Sequence, residues 1–268
     1  MGKTMKPIKV VVHGAQGKMG QEVVRAMWRE PEMELVGAVE LHPDTDCLLL
    51  PDGLTTVPLS ANLESILECC QPDVLIDFTA ALVTMPAART AASRGVNLVI
   101  GTTGLSAEDI NEINRLATAN KVGAVVAPNF ALGAVLLMQL AKICARYFDC
   151  AEIIELHHHM KTDAPSGTAI TTAKAMAAAR SKPFSQPPQT QKTSDSRGQQ
   201  VEGITVHSVR LPGILARQEV LLGGAGQTLS LKHDAISREC YMPGVILATR
   251  EVIKHKGLAH GLDSLLDL

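Results

Sequence analysis

The chain carries almost no net charge, no Cys-x-x-Cys pair and no unbroken apolar stretch of membrane-spanning length. A formal charge of −2 over 268 residues leaves little to draw it to nucleic acid or to an anionic membrane surface. Its six cysteines, at positions 47, 69, 70, 144, 150 and 240, follow neither a disulfide framework nor a zinc-site spacing. They read as reduced, mostly structural thiols of a cytoplasmic protein, and the adjacent pair Cys69-Cys70 is not a metal motif. No secretory leader is evident, and Lys6 stands where myristoylation of Gly2 would want Ser or Thr. The most apolar helical stretch, Phe130 to Tyr147, is interrupted by Gln139, Lys142 and Arg146, so it reads as a buried helix of a soluble protein. A hydrophobic content of 46 % is ample for one large or two medium domains.

The β-branched run Ile8 to Val12 reads as a buried strand leading into Gly14-Ala-Gln-Gly17-Lys-Met-Gly20, with a helix from about Lys18 to Glu30. Strand, glycine turn and helix together let backbone approach a pyrophosphate and set it on a helix N-terminus. The GxxGxxG spacing is a weak signal by itself, and a turn that merely packs helix on sheet is the competing reading. A second strand, Glu34 to Val39, strengthens the first reading because it ends at Glu40, an acid placed to hydrogen-bond a ribose. Alternation continues through a helix at 64–70, a strand at 73–78, a helix at 83–94 and a strand at 96–100. Gly101-Thr-Thr-Gly104 closes that strand, Ser106 and Asp109 form a capping box, and a strand at 122–127 ends at Pro128-Asn129-Phe130. Repeated βα units predict a Rossmann-like, doubly wound parallel sheet over residues 1–129. Ligands of such sheets lie at the carboxyl ends of the strands, which here are Gly14 to Gly20, Glu40, Gly101 to Thr103 and Ala127 to Phe130. Individually, Thr102 and Asn129 are as well suited to capping their loops as to touching a ligand.

The densest chemistry lies in Ile153 to Ala169. Ile153 to Leu156 reads as a strand, whose alternation puts Glu155, His157, His159 and Lys161 on one face and His158 on the other. Fully extended, His157 and Lys161 would stand roughly 13 Å apart, so a shared ligand requires a bend, which Asp163-Ala-Pro165 supplies. Ser166 is a good N-cap, and Gly167 onward reads as a helix whose first turn offers an anion site at Ser166, Gly167 and Thr168. A carboxylate held there, with Lys161 adding charge, leaves a histidine to deliver or remove a proton. Three histidines in a row also raise a metal site, but strand neighbours face opposite ways and no acid or cysteine stands at ligand spacing, so no metal is expected.

Residues 130–240 are expected to form a second, α+β domain on a mostly antiparallel sheet, with strands at 203–210, 218–222 and 227–233 separated by Pro-Gly and Gly-Gly. One face of that sheet needs a cover, which a neighbouring subunit would provide. The polar, Pro-rich stretch 181–200 reads as a mobile loop, either a lid or an insertion. A helix from Pro243 to about His255 opens a C-terminal segment, 241–268, that returns to the first domain.

The segment Glu155-Leu-His157-His158-His159-Met-Lys161-Thr-Asp163-Ala-Pro165-Ser-Gly-Thr-Ala169, with Gly14 to Met19, Gly101-Thr-Thr-Gly104 and Ala127-Pro-Asn-Phe130, closely resembles the dihydrodipicolinate reductases from about Ile8 to Leu268. The resemblance implies a cytoplasmic reductase using NADPH or NADH in the diaminopimelate route to lysine, acting on a cyclic unsaturated imine dicarboxylate. It assigns the proton donor to His157 and the essential lysine to Lys161, with substrate carboxylate contacts at His158, Gly167 and Thr168. Cofactor contacts fall on Gly14, Ala15, Gln16, Gly17, Lys18, Met19, Glu40, Gly101, Thr102, Thr103, Ala127, Pro128, Asn129 and Phe130. The family is typically a homotetramer joined through its second-domain sheets. Two departures stand out. Leu41 follows Glu40 where some members carry a basic residue that meets the 2′-phosphate of NADPH, leaving Lys18 as the alternative cation. Ala80 follows Asp77-Phe-Thr79 where some members carry arginine. The competing readings are a sugar or semialdehyde dehydrogenase, which leaves Pro165-Ser-Gly-Thr168 unexplained, and a nicotinamide-binding sensor without catalysis.

Overall fold

Val10, Val11 and Val12 are fully buried, as expected of a strand covered on both faces, and this strand lies at the centre of the larger of two sheets. The computed structural model describes residues 6–185 and 195–266. In chain order its elements begin β1 (Ile8–His13), α1 (Lys18–Arg29), β2 (Met33–Val39), β3 (Cys47–Leu49), β4 (Thr56–Ser60), α2 (Leu63–Cys70), β5 (Val74–Asp77), α3 (Ala81–Ser93), β6 (Asn97–Ile100), α4 (Ala107–Asn120) and β7 (Gly123–Val126). They continue with α5 (Leu132–Cys144), β8 (Cys150–His157), α6 (Gly167–Ala178), β9 (Gln199–Val201), β10 (Ile204–Arg210), β11 (Ala216–Gly224), β12 (Gln227–Ala235), α7 (Met242–Val252) and β13 (Gly257–His260). Among the described residues no helix is long and apolar enough to cross a membrane.

The chain divides into two units, one reaching Phe130 and resuming at Tyr241, the other Ala131–Cys240. The first is built on an eight-stranded sheet of order β13-β7-β6-β5-β1-β2-β4-β3, parallel throughout except for the short edge strand β3. Strands β4-β2-β1-β5-β6-β7 follow the doubly wound order of dinucleotide-binding folds, and the winding reverses between β1 and β5. The expected Rossmann-like sheet is therefore present. Two of its helices, α2 and α4, start where side-chain oxygens replace missing backbone partners. Asn62 accepts the Ser65 amide at 3.1 Å, and Ser106 accepts the Asp109 amide at 3.1 Å while Asp109 accepts the Ser106 amide at 2.8 Å. Strands β3, β4 and β13, of three to five residues each, escape the sequence reading, because segments this short carry too few positions to display a period.

The second unit is a five-stranded sheet of order β12-β11-β8-β10-β9. Three of its four pairings are antiparallel, as expected; β10 is antiparallel to β9 but runs parallel to β8, so 203–210 is antiparallel to only one of its two neighbours. The chain between β8 and β10 contains α6, a crossover of the length that parallel neighbours require. Ala141 and Ala145 at the α5 end, and Ala169, Ala173 and Met176 of α6, pack on Ile153, Ile204, Val206, Val220 and Leu222, all of them buried. The alternate positions Glu152, Ile154, Leu156, His207, Arg217, Glu219 and Leu221 are only partly buried. Of the predicted loop 181–200, residues 186–194 lie outside the described residues. At its start, Phe184 is buried in the core under the Arg180 guanidinium, 4.0 Å above its ring, and at its end Gln199 and Gln200 belong to β9.

Candidate active site and cofactor cradle

The first unit gathers a phosphate-sized turn at the end of β1. Gly14 has φ of +79°, and a Cβ there would lie 2.9 Å from both the Phe78 carbonyl oxygen and Thr79 Cγ2. At Gly20 a Cβ would stand 1.9 Å from the Gly14 carbonyl oxygen, so the start of α1 presses directly on the turn. Gly17 is the N-cap and provides no side-chain acceptor, which leaves the amides of Lys18 and Met19 without acceptors among the described residues. Donors aimed outward at a helix start suit a pyrophosphate, so the cradle fits a dinucleotide. Gly20→Ala is expected to destabilise this unit by about 1–3 kcal/mol, the usual cost of overpacking, and to weaken cofactor binding. Thermal unfolding with and without NADH checks both, and an unaltered response to NADH counts against the cradle.

Glu40, just past β2, accepts the Gln16 amide at 2.9 Å and the Leu41 amide at 2.9 Å, which fixes its carboxylate beside the turn. Exposed Leu41 brings no charge next to it, and Lys18 is exposed on the turn itself. Gly101 is obligatory for a different reason, since a Cβ there would enter the Phe78 ring at 2.1 Å. That ring packs on buried Phe130 with centroids 5.6 Å apart, which seats Ala127 to Phe130 beside the β5 loop. Thr102 is 5 % exposed, and its hydroxyl donates to Asp77 at 2.6 Å. Its side chain is thus committed to the protein, and only its backbone remains for a ligand. Thr103 and Pro128 are exposed.

In the second unit the strand β8 ends at His157, and the chain then turns, with the Lys161 amide donating to the His158 carbonyl at 3.1 Å. His159 and Lys161 are therefore not on the strand face shared by Glu155 and His157, contrary to the extended reading. The bend begins seven residues before Pro165, because the His158 carbonyl closes a turn with the Lys161 amide. Glu155 is the organising group, and it was missed as a site residue. Although 0 % exposed, it accepts His157 Nδ1 at 2.5 Å, Arg210 Nη2 at 2.8 Å and Nη1 at 2.9 Å, and the Ser166 amide at 3.1 Å. Burial pushes this carboxyl up, but hydrogen bonds from His157, Arg210 and Ser208 outweigh it and hold the pKa at about 2. An ionised Glu155 can only accept, so His157 carries its proton on Nδ1 and presents Nε2 outward.

The Ser166 hydroxyl caps α6 by accepting the Ala169 amide at 3.2 Å, while the amides of Gly167 and Thr168 find no acceptor among the described residues. Arg210 also donates to the Asp163 carbonyl at 2.6 Å, tying the loop before α6 to the end of β10. The predicted anion site at the start of α6 and the His157 ring are thus both held by one carboxylate. Lys161 pairs with Asp163 at 2.7 Å, a partner the spacing did not suggest, and that contact is the main reason the Asp163 carboxyl sits below its usual range. Burial, then the charges of His157, Lys161, His159 and Arg238, push the His158 imidazole down. Arg238 was also missed. It lies 77 positions beyond Lys161 in a single helical turn, Arg238–Tyr241, and nothing in its local sequence marks it. Among the described residues no group of three or more His, Cys, Asp or Glu is arranged around a metal position.

Residues 8–130 match the model of the dihydrodipicolinate reductase N-terminus and residues 133–266 that of its C-terminus. The chain is 55 % identical over 264 residues to 4-hydroxy-tetrahydrodipicolinate reductase from Dehalococcoides mccartyi strain BAV1, covering 98 % of this chain and 100 % of the relative. It is 46 % identical over 265 residues to the enzyme of that name from Moorella thermoacetica, covering 97 % and 98 %. A solved structure of dipicolinate-bound dihydrodipicolinate reductase from Paenisporosarcina sp. TG-14 superposes with a TM-score of 0.85 at 41 % identity, over 97 % of this chain and 100 % of that one. With these matches across both units, the chain belongs to the dihydrodipicolinate reductase family, enzymes that draw on NADPH or NADH.

Proposed function

We propose that this enzyme reduces a cyclic unsaturated imine dicarboxylate to tetrahydrodipicolinate in the diaminopimelate route to lysine, with His157 as proton donor. The observation that carries the assignment of roles is the Glu155 carboxylate, which holds both His157 Nδ1 and the Ser166 amide and so fixes the ring beside an open helix start. The helix amides of Gly167 and Thr168 receive one substrate carboxylate. Lys161 and His158 meet its negative charge, and the dianion opposes the burial and neighbouring cations that push the His158 imidazole down. The relative solved with dipicolinate supports a planar dicarboxylate as ligand.

NADPH or NADH, when bound, supplies the hydride. Gly14 to Met19 would hold its pyrophosphate and Glu40 its adenosine ribose, with Gly101 to Thr103 and Ala127 to Phe130 alongside. Electron density then gathers on the substrate ring as an enamine, which His157 Nε2 protonates while Lys161 offsets the charge. His157 is afterwards reprotonated from solvent.

The deciding experiment follows oxidation of NADPH and NADH in a coupled assay that generates the unstable imine. Turnover with it, and none with sugar or semialdehyde substrates, supports the reading, whereas cofactor binding without turnover would make the protein a sensor. The partly exposed sheet face bearing Ile154, Leu156 and Leu221 suits a homotetramer, and kinship with biosynthetic reductases suits the cytoplasm. Light scattering is expected to give the mass of four chains, and a monomer at micromolar concentration would remove the assembly.

A further inference from the structure

A second buried carboxylate hub lies in the first unit, among residues given no part above in proton transfer. Asp77 ends β5 and is 2 % exposed. Its Oδ1 accepts the Thr79 amide at 3.1 Å and the hydroxyls of Thr79 at 2.8 Å, Thr84 at 2.9 Å and Thr102 at 2.6 Å. Four donors on one oxygen leave no room there for a proton. The other oxygen, Oδ2, faces Nδ1 of His13 at 2.7 Å, and His13 is itself 7 % exposed. Burial pushes the Asp77 carboxyl up, yet the His13 contact and the threonine hydroxyls more than reverse it and hold the group below its usual range. As an acceptor on both oxygens, Asp77 requires a donor from His13.

The placement of these groups matters more than their number. His13 is the last residue of β1, directly before Gly14, and it pairs in register with Asp77 at the point where the sheet reverses its winding. Thr79 belongs to the loop after β5, whose Phe78 carbonyl and Thr79 methyl close on Gly14 so tightly that no Cβ fits. Thr102 belongs to the loop after β6, and its hydroxyl also accepts the Thr79 amide at 2.9 Å. One carboxylate therefore ties together three strand ends that open on the dinucleotide crevice.

We propose that His13 is a positioning residue for the cofactor, whose Nδ1–H saturates Asp77 and so holds the loops at 78–80 and 101–103 in register with the phosphate turn. The inference rests on the reading of Gly14 to Met19 and Glu40 as the cofactor cradle, and goes beyond it. An unpaired buried carboxylate would draw in water or a proton, and either change releases donors from the two loops. The cost appears in cofactor affinity, because preorganised donors are lost before the ligand arrives.

The test measures Kd for NADH and NADPH by nicotinamide fluorescence, and steady-state kinetics with the imine, in His13→Ala, His13→Phe and His13→Asn. Alanine deletes the donor, phenylalanine deletes it while filling the ring volume, and asparagine restores a donor near the position of Nδ1. Loss of one charge-assisted hydrogen bond predicts about a tenfold or greater rise in Kd and in cofactor KM for Ala and Phe, with kcat at saturating cofactor changed by no more than about twofold. His13→Asn is expected within about threefold of the parent. Phenylalanine keeps the test open should the alanine variant fail to fold. Unchanged Kd in Ala or Phe, or an Asn variant as impaired as Phe, overturns the inference. Glu40→Ala measured alongside separates the two levels: if it too leaves Kd unchanged, the cradle itself is misassigned, whereas a loss confined to Glu40→Ala sinks the role of His13 alone.

Discussion

His157→Gln is expected to lower kcat by about 100- to 10,000-fold, the range over which a positioned general acid contributes, while Kd for NADH stays within about twofold of the parent. Glutamine preserves much of the ring's volume and its donor to Glu155, so the fold around β8 survives. What disappears is a group able to give up a proton from the position of Nε2. Unchanged turnover would remove His157 from the chemistry and leave Glu155 as a purely structural group.

The largest effect on stability is expected at Glu155. Replacing it with alanine strands the Arg210 guanidinium, whose Nε is already buried without a partner among the described residues, beside a cavity. Breaking one side of a buried ion pair costs about 3–5 kcal/mol. For a protein of this size each kcal/mol corresponds to roughly 2–4 °C, so Tm should fall by about 6–20 °C. The pH dependence has a definite sign. The Glu155 carboxyl falls from an ordinary 4.5 to about 2, so its contribution is complete above pH 4.5 and is lost as pH falls toward 2. Integrated over that window the contribution is roughly 3 kcal/mol. Glu155→Gln is expected to flatten the stability profile between pH 4.5 and 2 while lowering Tm at neutral pH, with denaturant unfolding at several pH values as the measurement. A variant as acid-sensitive as the parent would show that other carboxylates control acid unfolding. Glutamine offers one acceptor and one donor in place of two acceptors, so the His157 tautomer is no longer fixed and kcat should fall in the same variant.

Much of both units could be read from local pattern, for reasons the structure makes concrete. The Val10–Val12 run, the glycine turn and the period of α1 each depend on residues within one element, and burial follows from them directly. The capping box at Ser106 and Asp109 and the N-cap at Ser166 are contacts three residues apart, where spacing alone decides geometry. Even the shared face of Glu155 and His157 follows from alternation along β8. Expectations failed where the partner was remote or the element short. The parallel pairing of β10 with β8 contradicted the turn signals because α6 intervenes as a crossover, and the turn at His158 cut the strand before His159 and Lys161 could share its face.

By itself the sequence determined which chemistry was present: a glycine turn for a dinucleotide, and imidazoles and an ammonium ahead of a capped helix. It determined these because helix starts, turns and strand faces are set by neighbours a few residues apart. Only the tertiary structure decided what holds that chemistry in place. Arg210 reaches Glu155 across 55 positions and His13 reaches Asp77 across 64, and neither meeting exists until strands distant in sequence are laid side by side. Buried carboxylates are costly without donors on every side, so their partners are specified by the packing of the whole sheet, and no local pattern announces them.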